Sequence, residues 1–285
     1  MPGFPRRGMM EDTMGEIVSL EALAAQVQDG MMVAVPTDRA GVAMAATAAI
    51  IARRPKNLHL VCVPVSGIQA DMLIGEGLIA TLETSAVTLG EAGGAPRFGD
   101  GIKTGAFTMK DATCPALLAG LRAGQMGIPF MPIRGIIGSD ILGVRPDWKV
   151  IDNPFAEDDP IVVVSAIRPD VALFHAPEAD RFGNVRIGRQ TELAAMAYAA
   201  KTALVTVERI VETSLLADEA TSGGVLPALY VGAIAEAKHG AWPLGLAGEY
   251  VTDDAELARY AKMARSREGF AAYMQGFAQK FEAVA

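Results

Sequence analysis

Arg39 stands in Val35-Pro36-Thr37-Asp38-Arg39-Ala40-Gly41, directly after an apolar run of strand length. In an open parallel sheet, ligands sit beyond the carboxyl ends of strands, where the next helix presents free N–H groups. A guanidinium there can hold a carboxylate, so the position suits an anionic or carbonyl-bearing ligand. The competing reading has Thr37 or Asp38 capping the helix while Arg39 is solvated. The residues alone leave both open. A second arginine lies in Pro132-Ile133-Arg134-Gly135-Ile136-Ile137-Gly138-Ser139-Asp140, among apolar neighbours and two glycines. Charge in such surroundings is costly unless paired or used. We read Arg134 as binding a ligand's charge while glycine backbone approaches it; an Arg134–Asp140 pair holding the loop is the alternative.

Three further groups are candidates. His175 ends an apolar run and precedes Asp180-Arg181-Phe182-Gly183-Asn184. His175 with Asp180 would make an acid–base pair, but the residues fit a satisfied strand-end histidine and a tight turn better. Cys114 opens an expected helix, where the dipole favours a thiolate, yet no histidine is near it in sequence. Cys62 lies inside an expected strand and reads as core. The chain has no G-x-x-x-x-G-K-[ST] and no G-x-S-x-G, and GEAGGAPRFGDG does not match G-x-G-x-x-G.

The elements that must position these groups follow from apolar patterning. Met31–Pro36, Asn57–Pro64 and Leu78–Thr84 read as strands, alternating with helices over Gly41–Arg54 and Gly67–Gly77. Ser19 caps a helix over Leu20–Gln28. Gly90–Gly105, with six glycines, reads as a loop or crossover, and a helix follows at Cys114–Gln125. Asp147–Pro160 reads as a polar connection. Ile161–Ala166, Asp170–Ala176 and Ala203–Val207 are further strands, with a helix at Thr191–Ala200 between the last two. One or two helices close the stretch from Asp253 to Ala283. Apolar strands alternating with helices predict an α/β fold with an open, mostly parallel sheet covered on both faces. Residues 1–16 read as a loose tail, and residues 17–285 as one continuous domain.

The chain of 285 residues is 51% apolar, with a formal net charge of −8 and a mean hydropathy of +0.28. Its acidity argues against nucleic acid as a partner. The longest stretch free of charge, Ala220–Ala235, has 16 residues broken by Gly223, Gly224 and Pro227, too short for a bilayer. Met1–Ile17 has two arginines but no apolar core after them, unlike a secretory signal. We therefore expect a cytoplasmic protein. Two cysteines and three histidines, none closely spaced, point away from a metal site.

Gly127–Leu142 (GIPFMPIRGIIGSDIL), followed by Arg168–Val185 (RPDVALFHAPEADRFGNV), resembles the A subunit of family I CoA-transferases. The likeness is to the glutaconate CoA-transferase type and to the related steroid-ring-opening CoA hydrolase. Ala199–Glu212 is similar too, and element order agrees from about Ile17 to Tyr250. The resemblance implies the CoA-transferase and sugar-phosphate-isomerase fold and a partner, the B subunit, on a separate chain. It implies no bound cofactor, coenzyme A entering as a substrate. In that family a glutamate, usually on the B subunit, attacks the acyl-CoA thioester and becomes a glutamyl-CoA thioester. Glu83, at a strand end, is the first local carboxylate to test. Arg39 and Arg134 fit arginines of the family's loops, and Gly135, Gly138 and Ser139 would line the cleft shared with the partner.

The chain also departs from the family. Val35-Pro36 replaces its Gly-Gly pair, and the hydrolase-type base position falls on Cys114 unless Asp111 substitutes. The leading expectation is the A subunit of a CoA-transferase. The alternatives are a CoA-ester hydrolase or ring-opening subunit, and a non-catalytic acyl-CoA-binding scaffold. The apolar excess suggests a large subunit interface, so the chain expressed alone should aggregate or self-associate.

Overall fold

Strands that are apolar at every position need cover on both faces, and here they receive it. The computed structural model describes residues 15–282. The central sheet has ten strands. Eight are parallel, in the order Glu16–Ile17, Val231–Glu236, Thr202–Val211, Val171–Asp180, Met32–Pro36, Leu58–Val63, Ile79–Thr84 and Thr108–Asp111. The short strands Val185–Arg186 and Val225–Leu226 are added, the first antiparallel to Val171–Asp180 and the second antiparallel to the first. Successive side chains of each strand enter opposite cores. Val33, Val35, Leu60 and Cys62 join one core; Ala34, Val61 and Val63 join the other.

The first core is roofed by helices Met44–Arg53, Ile68–Gly75, Asp254–Met263 and Arg267–Glu282, whose Met44, Ile68, Tyr260 and Phe277 are all buried in it. The second is roofed by helices Cys114–Met126 and Thr191–Ala199. A three-stranded antiparallel sheet completes that layer, ordered Phe130–Ile133, Pro160–Ser165, Lys149–Asp152. No helix among the described residues is long and apolar enough to cross a membrane.

From Met32–Pro36 the chain lays down its strands outward to one edge, then returns and builds from Val171–Asp180 to Val231–Glu236, beyond which the first strand, Glu16–Ile17, forms the other edge. The order therefore reverses between Met32–Pro36 and Val171–Asp180, which opens a crevice at their carboxyl ends.

Some boundaries differ from the sequence reading, each for a physical reason. Glu16 and Ile17, expected at the margin of a loose tail, pair with Ala233 and Ile234 at the sheet edge; residues 1–14 lie outside the described residues. Ser19 caps as expected, accepting from Ala22 N at 3.2 Å, but its helix stops at Ala24. The Gly-rich stretch contains a helix, Pro96–Thr104. Proline at its first turn suits a helix start, and Asp71 fixes that turn by accepting from Phe98 N at 2.7 Å. Tertiary support outweighs glycine's low propensity there. Within the expected polar connection, Lys149–Asp152 is a strand because its backbone pairs with Pro160–Val163.

Candidate functional site

The reversal of strand order puts residues 37–41 at the centre of the sheet's carboxyl edge. Ala40 N donates to Thr37 O at 2.9 Å, making a tight turn, and His175 N donates to Gly41 O at 2.7 Å, tying that turn to the neighbouring strand. Gly41 has φ +84°, and a Cβ there would lie 2.1 Å from His175 O. Only glycine permits both the conformation and the approach. Gly41→Ala is expected to cost on the order of 3 kcal/mol or more, read as a shifted denaturation midpoint.

This turn presents Arg39 to solvent, unpaired with any described residue. Neither Thr37 nor Asp38 caps helix Met44–Arg53, which has no side-chain cap, and its Ala45 N donates to Gly240 O at 2.9 Å. Asp38 instead faces the N–H groups of Gly67 and Ile68 at the start of the neighbouring helix, Ile68–Gly75, without capping it. Its Oδ1 is buried without a partner. Burial outweighs the pull of these two N–H groups and pushes the carboxyl up to about 6.

A raised carboxyl pKa stabilises the fold fully below its unfolded value near 4, and that contribution is lost as pH rises through about 6. Asp38→Asn should therefore raise Tm at pH 7–8 and leave it nearly unchanged at about pH 4. A melting series across that range checks this, and a variant that melts lower at pH 8 contradicts it.

Glu83 is enclosed. It is 2% exposed, and its Oε1 accepts from Arg145 Nη2 at 2.6 Å. His59 Nε2 lies 3.2 Å away and Lys110 Nζ 3.7 Å away. Arg145 also grips Asp147 with two nitrogens, each at 2.9 Å, and donates to Asp111 O at 3.0 Å. Its guanidinium lies 4.0 Å from the Trp148 ring centroid. Burial raises the Glu83 pKa, but the nearby His59 ring and the Arg145 and Lys110 charges outweigh it and hold the carboxyl below its ordinary value. Asp111 thus meets this cluster through its backbone carbonyl.

Cys114 is exposed at the first turn of Cys114–Met126, with Sγ 3.0 Å from Ser85 Oγ. Arg134 does not pair with Asp140. Both its terminal nitrogens hold Asp159, which also accepts from Asn153 Nδ2 at 2.6 Å. The clasp joins the end of Phe130–Ile133 to the loop before Pro160. Beyond it, Gly135 and Gly138 are exposed, Ile136 is buried, and Ser139 Oγ accepts from Ile141 N at 3.2 Å.

The sequence reading missed the partner of His175. Asp180 instead shapes the turn, accepting from Phe182 N and Asn184 N, each at 2.9 Å. His175 Nδ1 meets Thr206 Oγ1 and Nε2 meets Glu208 Oε1, both at 2.8 Å. Glu208 also accepts from Tyr250 Oη at 2.7 Å, His239 N at 2.8 Å and Gly240 N at 3.2 Å. Burial raises its pKa, but these hydrogen bonds outweigh it and leave the carboxyl well below its usual range. The signal was the register: His175 pairs with Thr206, so Glu208 follows two residues on along the same face.

A profile described as coenzyme A transferase matches residues 17–237. The A subunit of the 3-oxoadipate CoA-transferase of Pseudomonas knackmussii is 32% identical over 272 residues, which are 93% of this chain and 94% of that protein. The A subunit of the glutaconate CoA-transferase of Acidaminococcus fermentans is 31% identical over 220 residues, 71% of this chain and 68% of that protein. The crystal structure of glutaconate coenzyme A-transferase from that organism superposes with a TM-score of 0.84 at 26% identity, covering 92% of this chain and 88% of that one. The decarboxylase AibA/AibB superposes with a TM-score of 0.79 at 29% identity, covering 92% of this chain and 99% of that one.

Proposed function

The chain belongs to the coenzyme A transferase family, as an A subunit, and from that premise we propose that it moves CoA between an acyl-CoA and a free carboxylic acid together with a B subunit. The observation that carries the reading is Arg39, a solvent-facing guanidinium free of ion pairs with described residues, on the turn where strand order reverses. A fork of N–H donors there fits a carboxylate, whether of the acid or of the acyl group.

The nucleophilic glutamate belongs to the B subunit in this reading. Its carboxylate attacks the thioester carbonyl, CoA thiolate leaves, and an acyl anhydride forms. The thiolate then attacks the glutamyl carbonyl of that anhydride, releasing the acid and leaving a glutamyl-CoA thioester. The second acid reverses the sequence. Glu83, closed off by Arg145, Lys110 and His59, holds the strand ends in place rather than attacking. Arg134, clasped to Asp159, supports the Gly135–Ser139 wall of the cleft.

The test is the co-expressed complex, given acyl-CoA and an isotopically labelled acceptor acid. Label appearing in acyl-CoA with ping-pong kinetics is the expected outcome. Loss of thioester without acceptor overturns the reading in favour of hydrolysis, and tight acyl-CoA binding without turnover overturns it in favour of a scaffold.

A further inference from the structure

The hydrogen-bonded hub at Glu208 takes no part in the reaction steps above, yet it is built around the Arg39 turn from two sides. On one side stands His175. Its buried ring ends on Thr206 and Glu208, while its backbone N–H holds Gly41 O, just beyond Arg39. On the other side stands the chain that follows Val231–Glu236. There His239 N and Gly240 N donate to Glu208, and Tyr250 Oη donates to it while accepting from Ala241 N at 3.1 Å. Leu246 of this segment is buried against Gly41. Gly240 O in turn receives Ala45 N, in the first turn of the helix after Arg39. The two sides also touch each other, since a Cβ on Gly240 would lie 2.6 Å from His175 Cε1.

The chain from Gly41 to Ala45 is thus held at both ends by residues that Glu208 itself holds, His175 at Gly41 and Gly240 at Ala45. Burying a carboxylate is costly, and apolar side chains could pack the same segment more cheaply. What directional hydrogen bonds add is a fixed geometry, and here they fix the turn that carries Arg39. We propose that Glu208 is a positioning residue for the acceptor carboxylate: through His175 and Gly240 it sets the turn that aims Arg39 at the acid. The inference rests on the reading of Arg39 above and names what sets its aim. Misplacing a binding group by about 1 Å costs about a hundredfold in rate, so partial loosening should be visible in kinetics.

The experiment uses the A/B complex. Glu208→Gln turns an amide nitrogen toward at least one of the donors, and should lower kcat/KM for the acceptor acid about tenfold. Tyr250→Phe removes one donor only and should lower it about threefold. Both substitutions are repeated in Arg39→Ala, where nothing is left to aim; each should then change kcat/KM by less than about twofold. Equal fold losses with and without Arg39 would mean general weakening of the fold and overturn the inference, as would undiminished rates in both single variants. Hydrogen exchange follows the turn without reference to catalysis. Amides of residues 40–45 should exchange about tenfold faster in Glu208→Gln, relative to those of Leu58–Val63; an unchanged ratio overturns the inference. Faster exchange at the turn, with unchanged kinetics in Arg39→Ala, overturns instead the role of Arg39 in binding the acid and leaves the bracing by Glu208 standing.

Discussion

Arg145→Met is expected to lower stability by about 3–5 kcal/mol, the cost of leaving a buried carboxylate without its cation. At about 2–4 °C per kcal/mol for a large domain, Tm should fall by roughly 10 °C. The orphan is Glu83, which loses its 2.6 Å partner and keeps only the more distant His59 and Lys110. Asp147 keeps only Lys110, at 3.1 Å, and the Asp111 carbonyl loses its donor. Adding Glu83→Gln to Arg145→Met should recover much of the loss, because no charge is then stranded. Equal losses in the single and double variants would show that the stacking on Trp148 matters more than the ion pair.

The same cluster carries a pH signature. Glu83 and Asp147 are both held below their ordinary carboxylate values. Groups depressed in this way add stability above their unfolded values near 4, and that stability is lost as pH falls through the acid range. The wild type should therefore lose more Tm between pH 6 and about pH 3 than Arg145→Met does, since the variant has already lost much of the effect. Thermal melts of both proteins over that range measure the difference.

Arg39→Ala is expected to reduce kcat/KM for the acceptor acid by about tenfold to a hundredfold in the A/B complex, the worth of hydrogen bonds to a charged group. Tm should not move, because Arg39 is exposed and braces nothing described. Arg39→Lys restores charge without the planar fork and should recover only part of the rate. Unchanged kinetics in Arg39→Ala would remove the guanidinium from the site. Arg134→Ala offers the contrast. It breaks the clasp on Asp159, so its effect should reach stability as well as rate.

The strands at the centre of the fold were legible because burial on both faces leaves an unmistakable apolar run, as in Met32–Pro36 and Leu58–Val63. The helix Pro96–Thr104 was not, since its support comes from Asp71 and its neighbours rather than from its own glycine-rich sequence. The arginine loops could be singled out as charge in apolar surroundings, but their partners could not. Arg134 finds Asp159, 25 residues away, and Glu83 finds Arg145, 62 residues away. The His175–Glu208 contact depends on the register of two parallel strands, which no local pattern encodes.

The helices over 254–282 have a consequence for how the protein is made. Phe270, Tyr273 and Phe277 complete the core begun by Val33, Val35 and Met44, and Tyr260 Oη donates to Asp71 at 2.7 Å across 189 positions of sequence. The earliest central strands to be synthesised are therefore sealed by some of the latest residues. While the ribosome is still at work, their apolar surface has no permanent roof, and such long-range closure is slow. Yield should therefore respond to chaperone supply and to slower synthesis at lower temperature.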